Sequence, residues 1–372
     1  MRVLWIGRYA DREGGEYVYD RKAIDAIRRR GHEVEVVEPV AGPRWLELAR
    51  MVTHQLPHYR GRYITADNLS RIAAAAQRAD VAICSWEPHD ALALDLPVPT
   101  VLALHNITSR SLPAIFPGNR LAGFLAARAR AYEHRAYRTP GLAGIATLSL
   151  RDKAYIDSLG IAARSVWTPP GMPPDVPLDA AARLEPALVL SGSYDWKAKR
   201  RDVIRFAEEF AAWTGRPTFA SDDTLPPEVA ALLPVQPARL RERDEVARRI
   251  RFGVVPDRFE AGHKLKTLYY IASNCIVLSF ADVSFDFERV PDHAFFIRRV
   301  ETMADVQAVM AEVGSLTPAD LVARFTAFKR RCVELYSWDA VARDLLAAFE
   351  PMARRTATES GRPAAVMGVA SS

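Results

Sequence analysis

The sequence of 372 residues contains only three cysteines, Cys84, Cys275 and Cys332, far apart and without paired spacing. That excludes a disulfide framework and the usual zinc patterns, and the three read as buried thiols. No apolar run approaches the about 18 residues of a membrane-crossing helix. The longest apolar stretch, 91–104, is cut by Asp95, Pro97 and Pro99. The opening Met-Arg-Val-Leu-Trp-Ile-Gly turns polar at Arg8, is too short for a signal-peptide core, and reads as a first strand. The expectation is a soluble, cytoplasmic protein. Lysine is also scarce. Only seven of the 50 basic residues are lysines, and four of the seven form two K-x-K pairs, Lys197/Lys199 and Lys264/Lys266.

What the chain does have is globular composition, 49% hydrophobic and 26% charged, with a net charge of +5. A basic excess points to an anionic partner, whether nucleic acid, membrane or phosphorylated small molecule. Most of the excess is arginine spread along helices, so the lysine pairs are the more informative part.

Apolar periodicity predicts strands and helices in alternation. Strands are expected at 3–6, 34–37, 81–84, 98–104 and 144–148, with helices at about 16–30, 66–78, 121–137 and 151–159. Ser149 is placed to cap the last of these helices. The proline cluster Trp167-Thr-Pro-Pro-Gly-Met-Pro-Pro174 is stiff and marks a boundary. Beyond it a second series runs: strands at 187–190, 217–220, 250–255, 275–278 and 295–297, and helices at 201–213, 266–272, 304–313 and 318–336. A closing helix follows Ser337-Trp338. This implies two doubly wound α/β domains, at 1–168 and 169–336, with a closing helix at 337–352 returning to the first domain. Residues 353–372 are small and polar, and a disordered tail is expected there. Such sheets bind ligands at the carboxyl ends of their strands, so two of them enclose a cleft with two sides.

The order of motifs resembles the GT-B glycosyltransferases, in particular the retaining bacterial sugar transferases of the group 1 (family 4) type. Gly14-Gly15 and Gly31-His32-Glu33-Val34 are similar to that family's opening. Ala131 to Arg135 and Ile145 to Asp152 resemble its glutamate helix and serine cap. Pro169-Pro170-Gly171-Met172 stands where it has "PPGVD". Leu190 to Trp196 resembles "FTGSMDW", Gly262 to Leu268 resembles "GxxxKxL", and Tyr336-Ser337-Trp338 matches its closing "fsW".

The resemblance implies two Rossmann-like domains facing across a cleft, and transfer of a sugar from a nucleotide-sugar donor, most readily a UDP-sugar, to a hydroxyl acceptor. It implies retention, no metal and no cofactor. The leaving diphosphate needs backbone amides and fixed cations. Gly15, Gly192, Ser193, Lys199, Gly262, Lys264 and Lys266 are the expected diphosphate contacts, with Lys264 the one expected to face water. Tyr194 and Tyr269 are expected at the nucleotide. Tyr269 stands where the family usually has the glutamate that holds the ribose, and a tyrosine cannot accept as a carboxylate does. Lys266, Glu260 and His105 are the expected catalytic group, His105 also as a proton shuttle. Asn106, Glu87 and His89 are candidates on the acceptor side. Asp222-Asp223 reads as a turn, not a metal loop.

The implied acceptor is a lipid-linked glycan or polysaccharide precursor, with peripheral contact to anionic membrane at the inner face through the arginine-rich 120–138. Two other readings stay open. One is a DNA-modifying glycosyltransferase of the same fold, for which no recognition motif is found. The other is a non-catalytic nucleotide-sugar-binding protein.

Overall fold

The computed structural model describes residues 1–10, 15–57 and 59–349. The second glycine-pair member Gly15 is described, whereas Gly14 and the tail at 353–372 lie outside the described residues.

The amino-terminal half opens with β1 (Arg2–Ile6), α1 (Gly15–Arg29), β2 (Glu33–Val37), α2 (Arg44–Thr53), α3 (Ala66–Ala76) and β3 (Val81–Ser85). It continues with β4 (Thr100–Leu104), α4 (Thr108–Ile115), α5 (Arg120–Ala136), β5 (Leu142–Thr147), α6 (Leu150–Ser158) and β6 (Arg164–Trp167). The strands form one parallel sheet in the order β2-β1-β3-β4-β5-β6. Strands β3 and β4 are buried along their whole length, as parallel strands covered on both faces must be.

The second half begins with β7 (Arg183–Val189), α7 (Lys197–Ala211), β8 (Thr218–Ala220), α8 (Pro227–Leu232), α9 (Arg243–Ala247) and β9 (Arg249–Val255). Then come α10 (Leu265–Ala272), β10 (Cys275–Ser279), α11 (His293–Phe296), β11 (Ile297–Arg299), α12 (Met303–Gly314), α13 (Pro318–Leu335) and α14 (Trp338–Ala347). Its sheet is parallel too, ordered β11-β10-β9-β7-β8. Each half has its own apolar core.

In both sheets the strand order reverses beside the first strand, between β1 and β3 and between β7 and β9. A crevice opens at such a switch point, outside the carboxyl ends of the strands. Helix α14 leaves the second half and buries Val341, Ala342 and Leu345 against β1 and α1 of the first. Its entry is tight: a Cβ on Gly171 would lie 2.5 Å from the Trp338 ring, and Met172 N donates to Tyr336 O at 2.6 Å.

Several expectations need correction. Lys197 and Lys199 sit in the first turn of α7, four residues ahead of the predicted start, because Lys-Ala-Lys-Arg-Arg contains nothing that breaks a helix. Phe295 and Phe296 belong to a helical turn, and the strand begins at Ile297. Helices α2 and α4 and strand β6 had no counterpart in the prediction. Ser149 does cap α6, accepting from Asp152 N at 3.2 Å, and the three cysteines are buried and unpaired.

Candidate active site

The carboxyl ends of the two sheets face each other. Leu150 N, at the start of α6, donates to Asp286 Oδ1 at 2.7 Å, and Asp286 lies in the loop after β10. Gly262, in the loop after β9, is pressed against the end of β4. A Cβ there would lie 2.6 Å from the His105 carbonyl oxygen and closer still to Asn106 Oδ1. Gly15, the first residue of α1, faces Leu265 in the same way, with a Cβ placed 2.7 Å from Leu265 Cδ1. Gly262 lets backbone meet backbone across the cleft, and Gly15 leaves room for the Leu265 side chain.

On the second-half side, the loop after β9 and the start of α10 bring together Asp257, Lys264 and Lys266. Lys264 Nζ lies 3.6 Å from Asp257 Oδ2 and Lys266 Nζ 3.8 Å from Oδ1, ion pairs too long to be hydrogen bonds. Both Asp257 oxygens and Lys266 Nζ are buried without a hydrogen-bond partner among the described residues. Lys264 Nζ stands 3.7 Å over the Phe259 ring, and Lys266 Nζ 4.8 Å over Tyr194.

Burial pushes the Lys264 ammonium down to about 8 and Lys266 below its usual range, with Asp257 holding both up in part. Burial also opposes the Asp257 carboxylate, but Lys266, Lys264 and Lys199 outweigh it and keep its pKa below normal. Three ammonium groups thus share one carboxylate at the mouth of a crevice. Gly192, at φ 120°, lies beside them, and a Cβ on it would be 3.8 Å from Lys266 Nζ. The arrangement is short of negative charge and of hydrogen-bond acceptors, which an anionic ligand would supply.

Lys264 therefore departs from expectation, since it is buried rather than facing water. Tyr194 is also buried and donates its hydroxyl to Ser191 O at 3.1 Å, so it underlies Lys266. Ser193 and Lys197 are exposed, and Lys199 and Tyr269 are half-buried. Asp223 accepts from Ser191 Oγ at 2.8 Å and Gly192 N at 2.7 Å, which fixes the turn after β7. Glu260 is engaged by Arg151 from across the cleft, and Arg151 also reaches Asp282 at 3.3 Å. These residues border a cavity of 160 Å³ between the halves, with Arg110, Asp152 and Gly262 in its wall.

On the first-half side, Ser85 at the end of β3 donates its hydroxyl to Asp20 of α1. Ser85 Oγ is also 3.1 Å from His105 Nε2. A hydroxyl that gives its only proton to Asp20 must accept from the imidazole, so Nε2 carries the proton and Nδ1 the lone pair. Burial, then the nearby Arg8, push His105 down to about 3. A neutral imidazole of that pKa is mismatched for taking a proton near pH 7 but can accept a hydrogen bond.

His89, expected on the acceptor side, is fully buried. It lies inside the fold, edge-on to Tyr63 and Trp86, with Nδ1 3.1 Å from Ser85 O, and burial lowers it to about 3. Glu87 is half-buried, one of its carboxylate oxygens has no hydrogen-bond partner among the described residues, and burial raises it to about 7. Asp20, Ser85 and Asp257 are site residues that the sequence reading did not name.

No family model matches the sequence, and no curated protein matches it. Solved structures do. A glycosyltransferase from Rickettsia africae superposes with a TM-score of 0.61 at 10% identity, over 95% of this chain and 98% of that one. Sucrose-phosphate synthase from Thermosynechococcus elongatus gives 0.60 at 13%, over 95% and 99%. The spinosyn forosaminyltransferase SpnP gives 0.51 at 14%, over 95% and 99%. Near-complete coverage in both directions, with two parallel sheets facing across a cleft, shows that this chain has the GT-B fold of glycosyltransferases.

Proposed function

We propose that the protein transfers a sugar from a nucleotide-sugar donor to a hydroxyl acceptor. The observation that supports this best is the Lys264–Asp257–Lys266 cluster, with Lys199 nearby, at the β7/β9 switch point. As the bond from sugar to diphosphate breaks, negative charge grows on the leaving oxygen. Buried ammonium groups and the amides at the start of α10 stabilise that charge more than they stabilise the donor's ground state. His105, with its tautomer fixed through Ser85 and Asp20, orients a hydroxyl of the donor sugar or of the acceptor.

The finer reading carries retention, metal independence, a UDP-hexose donor and a lipid-linked or polysaccharide acceptor. Retention is carried by the family resemblance, in which the departing phosphate takes the proton of the incoming hydroxyl. Thermal shift against UDP, GDP and dTDP tests the donor side: one of them raises Tm, and Lys266→Ala removes the shift. Donor hydrolysis in that variant falls by about a hundredfold to a thousandfold. A protein that none of the three stabilises has no such site. NMR of the anomeric proton in the product, with and without EDTA, tests retention and metal independence.

A further inference from the structure

Helix α10 keeps one face out of the core. Five of its eight residues are buried, and Leu265, Lys266 and Tyr269 are not. Leu265 packs beside Gly15 of α1. Lys266 and Tyr269, three positions apart, lie one above the other on the same side of the helix. A nucleotide whose diphosphate sits at Lys266 therefore brings its next group, the pentose, to Tyr269.

Burial, then Asp223, push the Tyr269 hydroxyl above its usual range, and Asp222 acts in the same sense. Asp223 also helps to hold up the Lys266 ammonium against burial, so it stands close to both side chains. These two carboxylates are already engaged by the fold. Asp222 accepts from Arg239 N at 2.7 Å through one oxygen and from Leu240 N at 2.5 Å through the other. One oxygen of Asp223 accepts from both Ser191 Oγ and Gly192 N. The Tyr269 hydroxyl has no hydrogen-bond partner among the described residues.

We propose that Tyr269 makes the donor site indifferent to the 2′-hydroxyl of the pentose, so that ribonucleotide and 2′-deoxyribonucleotide donors are both taken. The inference rests on the sugar-transfer reading above. Doubly wound sheets select ribose with an acidic side chain that accepts from the 2′-hydroxyl. The two oxygens of a carboxylate can accept from both hydroxyls of a vicinal diol. Tyr269 offers a ring face and a single hydroxyl instead. Packing of the pentose on that ring is the same with or without the 2′-oxygen. Both oxygens of Asp222 and one of Asp223 already bind backbone amides, so neither presents a free pair of oxygens to the diol.

Titration calorimetry of the full chain with UDP against 2′-deoxy-UDP, and with GDP against 2′-deoxy-GDP, tests it, since each pair differs only at the 2′-oxygen. For the base that binds, the two Kd values are expected to agree within about threefold. Tyr269→Glu places a carboxylate beside the pentose. Its charge weakens both members of a pair, but their ratio shifts by at least about tenfold towards the ribonucleotide. A difference above about threefold in either direction in the wild type overturns the proposal, and that comparison needs no variant to fold. An unchanged ratio in Tyr269→Glu overturns it too, because the pentose then lies elsewhere. Binding of none of the four nucleotides is a separate result: it removes the donor site and the sugar-transfer reading, and this inference falls with them.

Discussion

At the residue scale, the lysine pair and Asp257 make opposite demands on pH. Lys264 is held near 8 in the fold against 10.5 when free. Between those values the unfolded chain binds more protons than the folded one, so this group makes the unliganded fold gain stability as pH rises from 8 to 10.5. Diphosphate binding runs the other way, because the ammonium that attracts it is lost as pH rises through about 8. We expect nucleoside diphosphate affinity, followed by titration calorimetry, to fall across that range while ligand-free Tm does not fall with it. Asp257→Asn removes the carboxylate that supports both ammonium groups, so the fall moves to lower pH. Affinity that is flat with pH in both proteins would contradict the assignment.

The His105 assembly makes a different prediction. Ser85→Ala takes away the hydrogen bond that fixes the imidazole, and we expect kcat to drop by about tenfold to a hundredfold with little change in donor affinity. An equal loss in both would show that Ser85 only supports the fold. The sequence made part of this site legible. Two K-x-K pairs among seven lysines stand out, and one pair follows Gly262 in the loop after β9. Asp257 did not stand out, because a single acid after a proline reads as a turn residue. Asp20 and Ser85 are 65 positions apart, and only the pairing of β1 with β3 brings them together.

At the scale of elements, Gly262 decides how close the two halves come. Its φ of 56° is left-handed, which costs an ordinary residue roughly 1–2 kcal/mol. A methyl group there also meets the His105 carbonyl, which is backbone and has no rotamer to escape into. Gly262→Ala should therefore push the start of α10 away from β4 and lower transfer by more than about tenfold, while Tm falls only slightly. Asn106→Ala should not rescue it, since it removes the side-chain oxygen and leaves the carbonyl in place. Rescue would show that the clash was with Asn106 alone.

Legibility at this scale followed burial. Strands β3, β4 and β10 read clearly because each is a continuous apolar run buried along its length. Helix α2 did not, since its apolar stripe faces outward, and a reading that assigns apolar residues to the core finds no partner for it. Helix α4 carries Pro113, and β6 is a four-residue edge strand that runs into the proline cluster, so neither shows a full period.

At the scale of the molecule, the question is which contacts hold the halves together. Arg151 pairs with Glu260 and Asp282, but Glu260 is 41% exposed, and pairs of that kind contribute about 0–1 kcal/mol. Asp286 is a different case. One oxygen accepts from Leu150 N at 2.7 Å, the other is 3.0 Å from His263 Nδ1, and its own carbonyl accepts from Tyr336 at 2.6 Å. The Leu150 bond is buried and is made to a carboxylate, a type worth about 1.5–3 kcal/mol, and losing it leaves an amide unpaired in the interface. The magnitudes therefore assign closure to Asp286 rather than to the arginine bridge. Asp286→Ala should enlarge the radius of gyration in small-angle scattering and speed proteolysis within 167–178, where the chain crosses between halves. KM for the donor should rise more than kcat falls, because each half keeps its own core and only their approach is weakened. Glu260→Gln should leave scattering unchanged. If Glu260→Gln opens the molecule as far as Asp286→Ala does, the exposed pair is stronger than its setting allows, and closure belongs to Arg151 instead.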